Sequence, residues 1–116
     1  MIVGVGVDLV DIDRFSRHLT ATPQLNQRLF APGERELPLA SLAARFAAKE
    51  ATIKALGGPV GTWHEVWVER TDSGAPVLRL EGEVAERARA LGVSRQHVSL
   101  SHDGAFATAT VILEAE

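Results

Sequence analysis

The sequence predicts an α+β fold, a single domain over residues 1–116 with a largely antiparallel sheet packed against helices. Three observations predict it. β-Branched runs open and close the chain, an alanine-rich helical segment occupies its middle, and two short apolar runs flank the turn residues Asp72-Ser73-Gly74.

Each element follows from local pattern. Ile2 to Val10 alternates β-branched residues with Gly4 and Gly6 before its first charge, Asp8, and predicts a buried strand approached closely by another backbone. Asp11 is placed to cap a helix whose apolar side carries Ile12, Phe15 and Leu19 and whose outer side carries Arg14, Arg17 and His18. Thr20 to Gln27 reads as a polar connection, and Phe30-Ala31-Pro32-Gly33-Glu34 as a turn leading into a short helix over Glu34 to Leu37. Ser41 to Leu56 is a strong helix, with Ser41 as its N-cap and Gly57-Gly58-Pro59 as its stop. After a loop over Gly57 to Thr62, Val66–Arg70 and Pro76–Leu80 form a hairpin, and Glu83 to Leu91 forms an amphipathic helix ended by Gly92. Val98–Ser101 and Phe106–Leu113 are the last strands, joined by a loop over His102 to Ala105.

Composition excludes several classes of protein. A chain of 116 residues can bury roughly 65% of its unfolded surface and needs no staples. With no cysteine it has neither disulfides nor thiolate chemistry, which points to the cytoplasm. No apolar run approaches the roughly 20 residues that cross a bilayer, and the first residues lack the basic region and cleavage site of a signal peptide. A net charge of −3 gives no global attraction to nucleic acid. Gly4-Val5-Gly6 lacks the third glycine of a dinucleotide fingerprint.

The cations are unevenly chosen. Of the 12 basic residues only Lys49 and Lys54 are lysines, and they lie close together on the central helix. A compact ammonium that binds phosphate is not freely replaced by a guanidinium. At about 100° per residue, Leu42, Phe46, Ile53 and Leu56 form one apolar stripe, and Lys49 falls inside it, which a snorkelling stem would accommodate. Arg45 with Lys49, and Glu50 with Lys54, are each four residues apart and share a face. In this pattern Glu50 can offer a carboxylate to Mg²⁺ while Arg45, Lys49 and Lys54 meet phosphate oxygens. Asp8, at the end of an apolar strand, is costly to bury unless it is paired or binds metal, and with Glu50 it would make the sparse carboxylate set that Mg²⁺ prefers. His102, between Ser101 and Asp103, can donate to a phosphate.

Four segments occur in register: Gly4-Val5-Gly6-Val7-Asp8, Phe30-Ala31-Pro32-Gly33-Glu34, Arg45-Phe46-Ala47-Ala48-Lys49-Glu50-Ala51 followed by Lys54-Ala55-Leu56-Gly57, and Val98 to Asp103. Together they resemble the holo-acyl-carrier-protein synthases, the small phosphopantetheinyl transferases, from Ile2 to about Glu114. The resemblance implies transfer of the 4'-phosphopantetheine of coenzyme A to a serine of apo acyl carrier protein, with release of adenosine 3',5'-bisphosphate. It implies Asp8 and Glu50 as Mg²⁺ ligands, Lys54 at the transferring phosphoryl group, and Arg45, Lys49, Gly57 and His102 around coenzyme A. It implies that Arg14, Arg17 and Arg28 dock the acidic carrier, and that the protein is a homotrimer with active sites between subunits, so that Asp8 and His102 would lie across an interface from Arg45 and Glu50. Two alternatives use the same residues: a non-catalytic oligomeric module binding a nucleotide or an acidic protein, and a Mg²⁺-dependent hydrolase of coenzyme A. Arg35-Glu36-Leu37 and the short Pro59 loop depart from the family's pattern.

Overall fold

A computed structural model describes all residues from Met1 to Glu116. The chain runs β1 (Ile2–Asp11), α1 (Ile12–Ala21), α2 (Leu25–Leu29), α3 (Leu39–Ala55), a 3-10 turn (Trp63–Glu65), β2 (Val66–Arg70), β3 (Pro76–Leu80), α4 (Gly82–Ala90), β4 (Val93–Asp103) and β5 (Phe106–Ala115). The strands form two antiparallel sheets, a three-stranded one in the order β1-β5-β4 and the β2-β3 hairpin. β1 pairs with β5 from Ile2 opposite Glu114 to Asp11 opposite Phe106.

α3 is the axis of the core. Its residues Ala43, Ala47, Ala48 and Ala51 are fully buried, because small side chains let a helix lie close to strands on more than one side. The predicted apolar stripe is therefore too narrow: burial reaches most of the way round α3, while Phe46 and Ile53 stay only half-buried. The helix starts at Leu39 after Pro38, ahead of the expected Ser41 cap. At its other end Gly57 adopts φ +93°, Gly58 N–H donates to Ile53 O at 3.1 Å and Gly57 N–H donates to Lys54 O at 3.1 Å. This pairing satisfies the last carbonyls of the helix and explains the glycines at the stop.

β1 lies directly on α3. A Cβ at Gly4 would overlap the Ala55 carbonyl, and one at Gly6 the Ala51 carbonyl. Only glycine permits this approach. α3 covers only one face of the sheet, so the expected burial of β1 holds for that face alone. Val5, Val7 and Leu9 on the other face are 58%, 56% and 62% exposed, together with Phe106 of β5.

Other expectations shift locally. The connection after α1 contains α2, because Leu25 and Leu29 turn inward against the core. Glu34 to Leu37 forms turns and no helix, with the Glu34 side chain buried. β4 begins at Val93 and carries His102 within the strand, opposite Ala107, leaving a tight turn at Gly104 with φ +56°.

Replacing Gly6 with alanine will push β1 off α3 and cost about 3 kcal/mol in urea unfolding. Gly33→Ala, where a Cβ meets nothing within 4 Å, will change stability by less than about 0.5 kcal/mol.

Candidate active site

Because Gly4 and Gly6 seat β1 on α3, the next residue of that face, Asp8, arrives beside the last turns of the helix. Lys54 Nζ donates to Asp8 Oδ1 at 3.0 Å and to Val7 O at 3.0 Å. Thr108 Oγ1 donates to the Asp8 carbonyl at 2.7 Å, tying this point of β1 to β5. Glu50, one turn before Lys54, shares a cleft of about 590 Å³ with Asp8, Lys54, Arg14 and His18. Burial, and then the charge of Asp8, raise the Glu50 carboxyl above the ordinary glutamate range, against the opposing pull of Lys54. Two carboxylates that repel across a cleft are a donor set that a divalent cation would relieve. No cluster of three or more acidic or histidine ligands exists, so a cation here would take its remaining ligands from water or substrate oxygens, as Mg²⁺ does.

α1 forms the basic rim of this cleft. Asp11 accepts from Arg14 N–H at 3.0 Å and caps the helix, which sets Arg14 and His18 toward the opening. Arg17 is exposed on the same helix and Arg28 on the last turn of α2. Phe15 stacks on Phe46 at 5.4 Å between ring centroids, and Phe46 meets Trp63 at 5.6 Å, locking α1 against α3 and the 3-10 turn.

Arg45 and His102 belong to a second place. With Ser41, Arg70 and Ser101 they line a separate cavity of about 250 Å³. Arg45 is 5% exposed, yet its Nε has no hydrogen-bond partner. Burial, and then the charge of Arg70, lower the Arg45 pKa, with Glu34 opposing. A buried guanidinium with one unpartnered nitrogen, near a second guanidinium, is a place where an anion in the cavity would be favoured. Arg45 and Glu50, five residues apart, point roughly 140° away from each other around α3. The structure therefore groups Asp8 with Glu50 and Arg45 with His102, a different division from the expected one of Asp8 and His102 facing Arg45 and Glu50.

Lys49 is not where the resemblance implied. Its side chain is 1% exposed, with Nζ donating to Glu34 Oε1 at 2.8 Å, to Trp63 O at 3.1 Å and to Val66 O. Glu34 in turn accepts from Ala31 N–H at 3.1 Å and Val68 N–H at 3.5 Å. All three ammonium protons are committed inside the protein, so Lys49 braces the fold and is not free to meet coenzyme A. Burial lowers its pKa and Glu34 opposes that shift. The sequence marked Lys49 as out of place on an apolar stripe, but its spacing did not name Glu34 as the partner. Arg70 had no such signal, since only the folding of β2 beside α3 brings it to Arg45, whereas Ser41, four residues before Arg45 on α3, shares its face by helical spacing. Gly57 ends α3 and is exposed.

The chain matches the 4'-phosphopantetheinyl transferase superfamily over residues 4–111. It is 56% identical over 117 residues to the holo-[acyl-carrier-protein] synthase of Micrococcus luteus, covering 98% of this chain and 93% of that protein. The structure of the acyl carrier protein synthase of Mycobacterium tuberculosis is 40% identical, covers 100% of both chains and superposes with a TM-score of 0.78. A complex of the Chronobacterium ammoniagenes synthase with CoA is 33% identical, with a TM-score of 0.84 and 97% of each chain covered. The protein is a member of the 4'-phosphopantetheinyl transferase superfamily.

Lys49→Met will leave Glu34 buried without a counter-charge and cost about 3–5 kcal/mol. Lys54→Met removes a pair whose lysine is 55% exposed and will cost less than about 1 kcal/mol, so thermal unfolding of the two variants separates the brace from the surface lysine.

Proposed function

We propose that this chain, as one catalytic unit over residues 1–116, transfers 4'-phosphopantetheine from coenzyme A to a serine of apo acyl carrier protein in the cytoplasm. The observation that carries the reading is the cleft that joins Asp8, Glu50 and Lys54 to the basic residues of α1. It puts phosphate chemistry and a surface for an acidic protein side by side, and the chain's relatives are named for this reaction.

In this reading Asp8 and Glu50 would hold Mg²⁺, which would supply charge neutralisation at the pyrophosphate. Lys54, held by Asp8 and by the Val7 carbonyl, presents its ammonium to the transferring phosphoryl group. The serine oxygen forms a bond to phosphorus, the phosphoanhydride bond breaks, the serine proton is lost and adenosine 3',5'-bisphosphate leaves. Arg45 and His102 receive phosphate at the nucleotide end of coenzyme A, which accounts for the unpaired Nε of Arg45. Arg14, Arg17 and Arg28 draw in the acidic carrier, an electrostatic contribution that acts mainly on the association rate.

The protein acts as a homotrimer with active sites between subunits. Two features support this. Val5, Val7, Leu9 and Phe106 form an apolar face on the sheet that a lone chain would leave in water. The Asp8–Glu50 cleft and the Arg45–His102 cavity are separate in one chain, so a substrate bridging two chains would use one from each.

Incubation with apo acyl carrier protein, coenzyme A and Mg²⁺ will add one phosphopantetheinyl group to the carrier by intact mass, and chelator will abolish the addition. An unmodified carrier, with coenzyme A still bound by the protein, would favour the binding-module alternative. Asp8→Ala and Glu50→Ala will each lower turnover more than about a hundredfold and weaken Mg²⁺ binding by calorimetry, with the fold retained. Arg14→Glu will raise the carrier's KM about tenfold at low salt and leave that of coenzyme A within about twofold. Val7→Glu will convert the trimer to monomer by light scattering; a wild-type monomer would refute the assembly.

A further inference from the structure

A second cavity opens on the other side of Glu50. About 540 Å³ of space is bounded by Glu50, Ile53, Val60, Gly61, Thr62 and Trp63. Its outer wall is the loop from Gly57 to Thr62, which lies between α3 and the 3-10 turn and belongs to neither a helix nor a strand. Three of its six residues are glycines with positive φ. Such a loop has many conformations open to it unless something outside it selects one.

That something is Glu65. Its Oε1 accepts from Val84 N–H at 3.1 Å, and its Oε2 from Thr62 Oγ1 at 3.4 Å. Val84 is in the first turn of α4, where backbone N–H groups have no partner within the helix, and Glu81 at the N-cap makes no side-chain bond to them. Glu65 caps α4 from a different part of the chain, with its negative charge at the positive end of the helix. Its backbone adds a further tie, as Glu81 N–H donates to Glu65 O at 2.9 Å.

The carboxylate fills a slot cut for it by two glycines. Gly61 and Gly82 adopt φ +63° and +58°, and a Cβ at either would collide with the Glu65 carboxylate. At Gly61 it would also meet the fully buried Val84. The loop, the 3-10 turn and the start of α4 are thus clasped around one side chain.

We propose that Glu65 is a positioning residue for the transfer reaction: its carboxylate, seated between Gly61 and Gly82, clamps the Gly57–Thr62 loop to α4 and so fixes the wall of the cavity beside Glu50, which shares that carboxylate with the Asp8–Lys54 cleft and would take part of coenzyme A. The proposal rests on the reading of coenzyme A as the donor. Glu65 touches no reacting atom in this account. It acts on donor binding through the loop, which makes its effect separable from a general loss of stability.

The test is steady-state kinetics of Glu65→Ala, Glu65→Gln and Gly61→Ala, with hydrogen exchange on the same proteins. Glu65→Ala is expected to raise the KM for coenzyme A about tenfold, with kcat and the carrier's KM within about threefold of wild type, and to speed amide exchange at Val84 and along the loop. Glu65→Gln, which keeps an acceptor for the Val84 amide, should recover most of the lost affinity. Gly61→Ala, which crowds the carboxylate from the loop side, should reproduce the rise in KM and carries the test alone if Glu65→Ala does not fold. A variant that lowers the unfolding temperature yet leaves the KM for coenzyme A within twofold overturns the proposal. So does a fall in kcat with equal rises in the KM of coenzyme A and of the carrier. A wild-type chain that leaves the carrier's mass unchanged overturns the transferase reading itself, whereas the preceding outcomes overturn only the role of Glu65.

Discussion

The contact on which the site depends is the one between the backbone of β1 and that of α3. Strands and helices normally stand apart by the thickness of their side chains. Here two glycines on one face of β1 remove that thickness, and the strand rests on the carbonyls of Ala51 and Ala55. The period of two along a strand carries the same face from Gly4 and Gly6 to Asp8. The carboxylate therefore reaches Lys54 and the neighbourhood of Glu50 without any loop to position it. A charge cluster held by two regular elements and a close backbone contact loses little entropy when it meets a substrate, which favours tight geometry in phosphoryl transfer.

The two lysines of α3 illustrate how burial divides residues of one type. Lys54 is more than half exposed and its ammonium sits at the mouth of a cleft, where it can exchange Asp8 for a phosphate oxygen. Lys49, less than two turns earlier, is sealed from water and surrounded by Glu34 and two carbonyls. An ion pair so deep contributes little net stability compared with a well-packed apolar pair, since desolvation offsets most of the attraction. Its value lies in geometry. It joins α3 to the turn at Ala31–Glu34 and to the first residues of β2, and those same segments line the cavities on either side of it.

Charge is likewise divided between two places on the chain. Acidic ligands and Lys54 face one cleft, while the unpaired Arg45 faces another with Arg70 and His102. Within each group the like charges are only partly offset, by Lys54 beside Asp8 and Glu50 and by Glu34 near Arg45. The apolar strip of Val5, Val7 and Leu9 lies on the opposite face of the same strand that delivers Asp8. The two faces of β1 thus carry an apolar strip and a carboxylate on the same few residues.

Much of this was legible in the order of residues. Periodicity exposed the hairpin and helices α1, α3 and α4, because amphipathic spacing and glycine stops act over a few residues. The odd glycines of β1, the stranded Asp8 and the rare lysines stood out for the same reason: each breaks a local rule at a stated position, and the structure brings Asp8 and Lys54 together while it turns Lys49 inward. Tertiary structure alone decided the rest. That Lys49 pairs with Glu34, that Arg45 faces Arg70, and that Glu65 caps a helix beginning 17 residues later are facts about which distant segments touch. Sequence spacing carries no information on such contacts, since burial and partner choice arise only when the elements pack. The same holds for β1, whose composition signals burial on both faces, while only one of them is covered by α3.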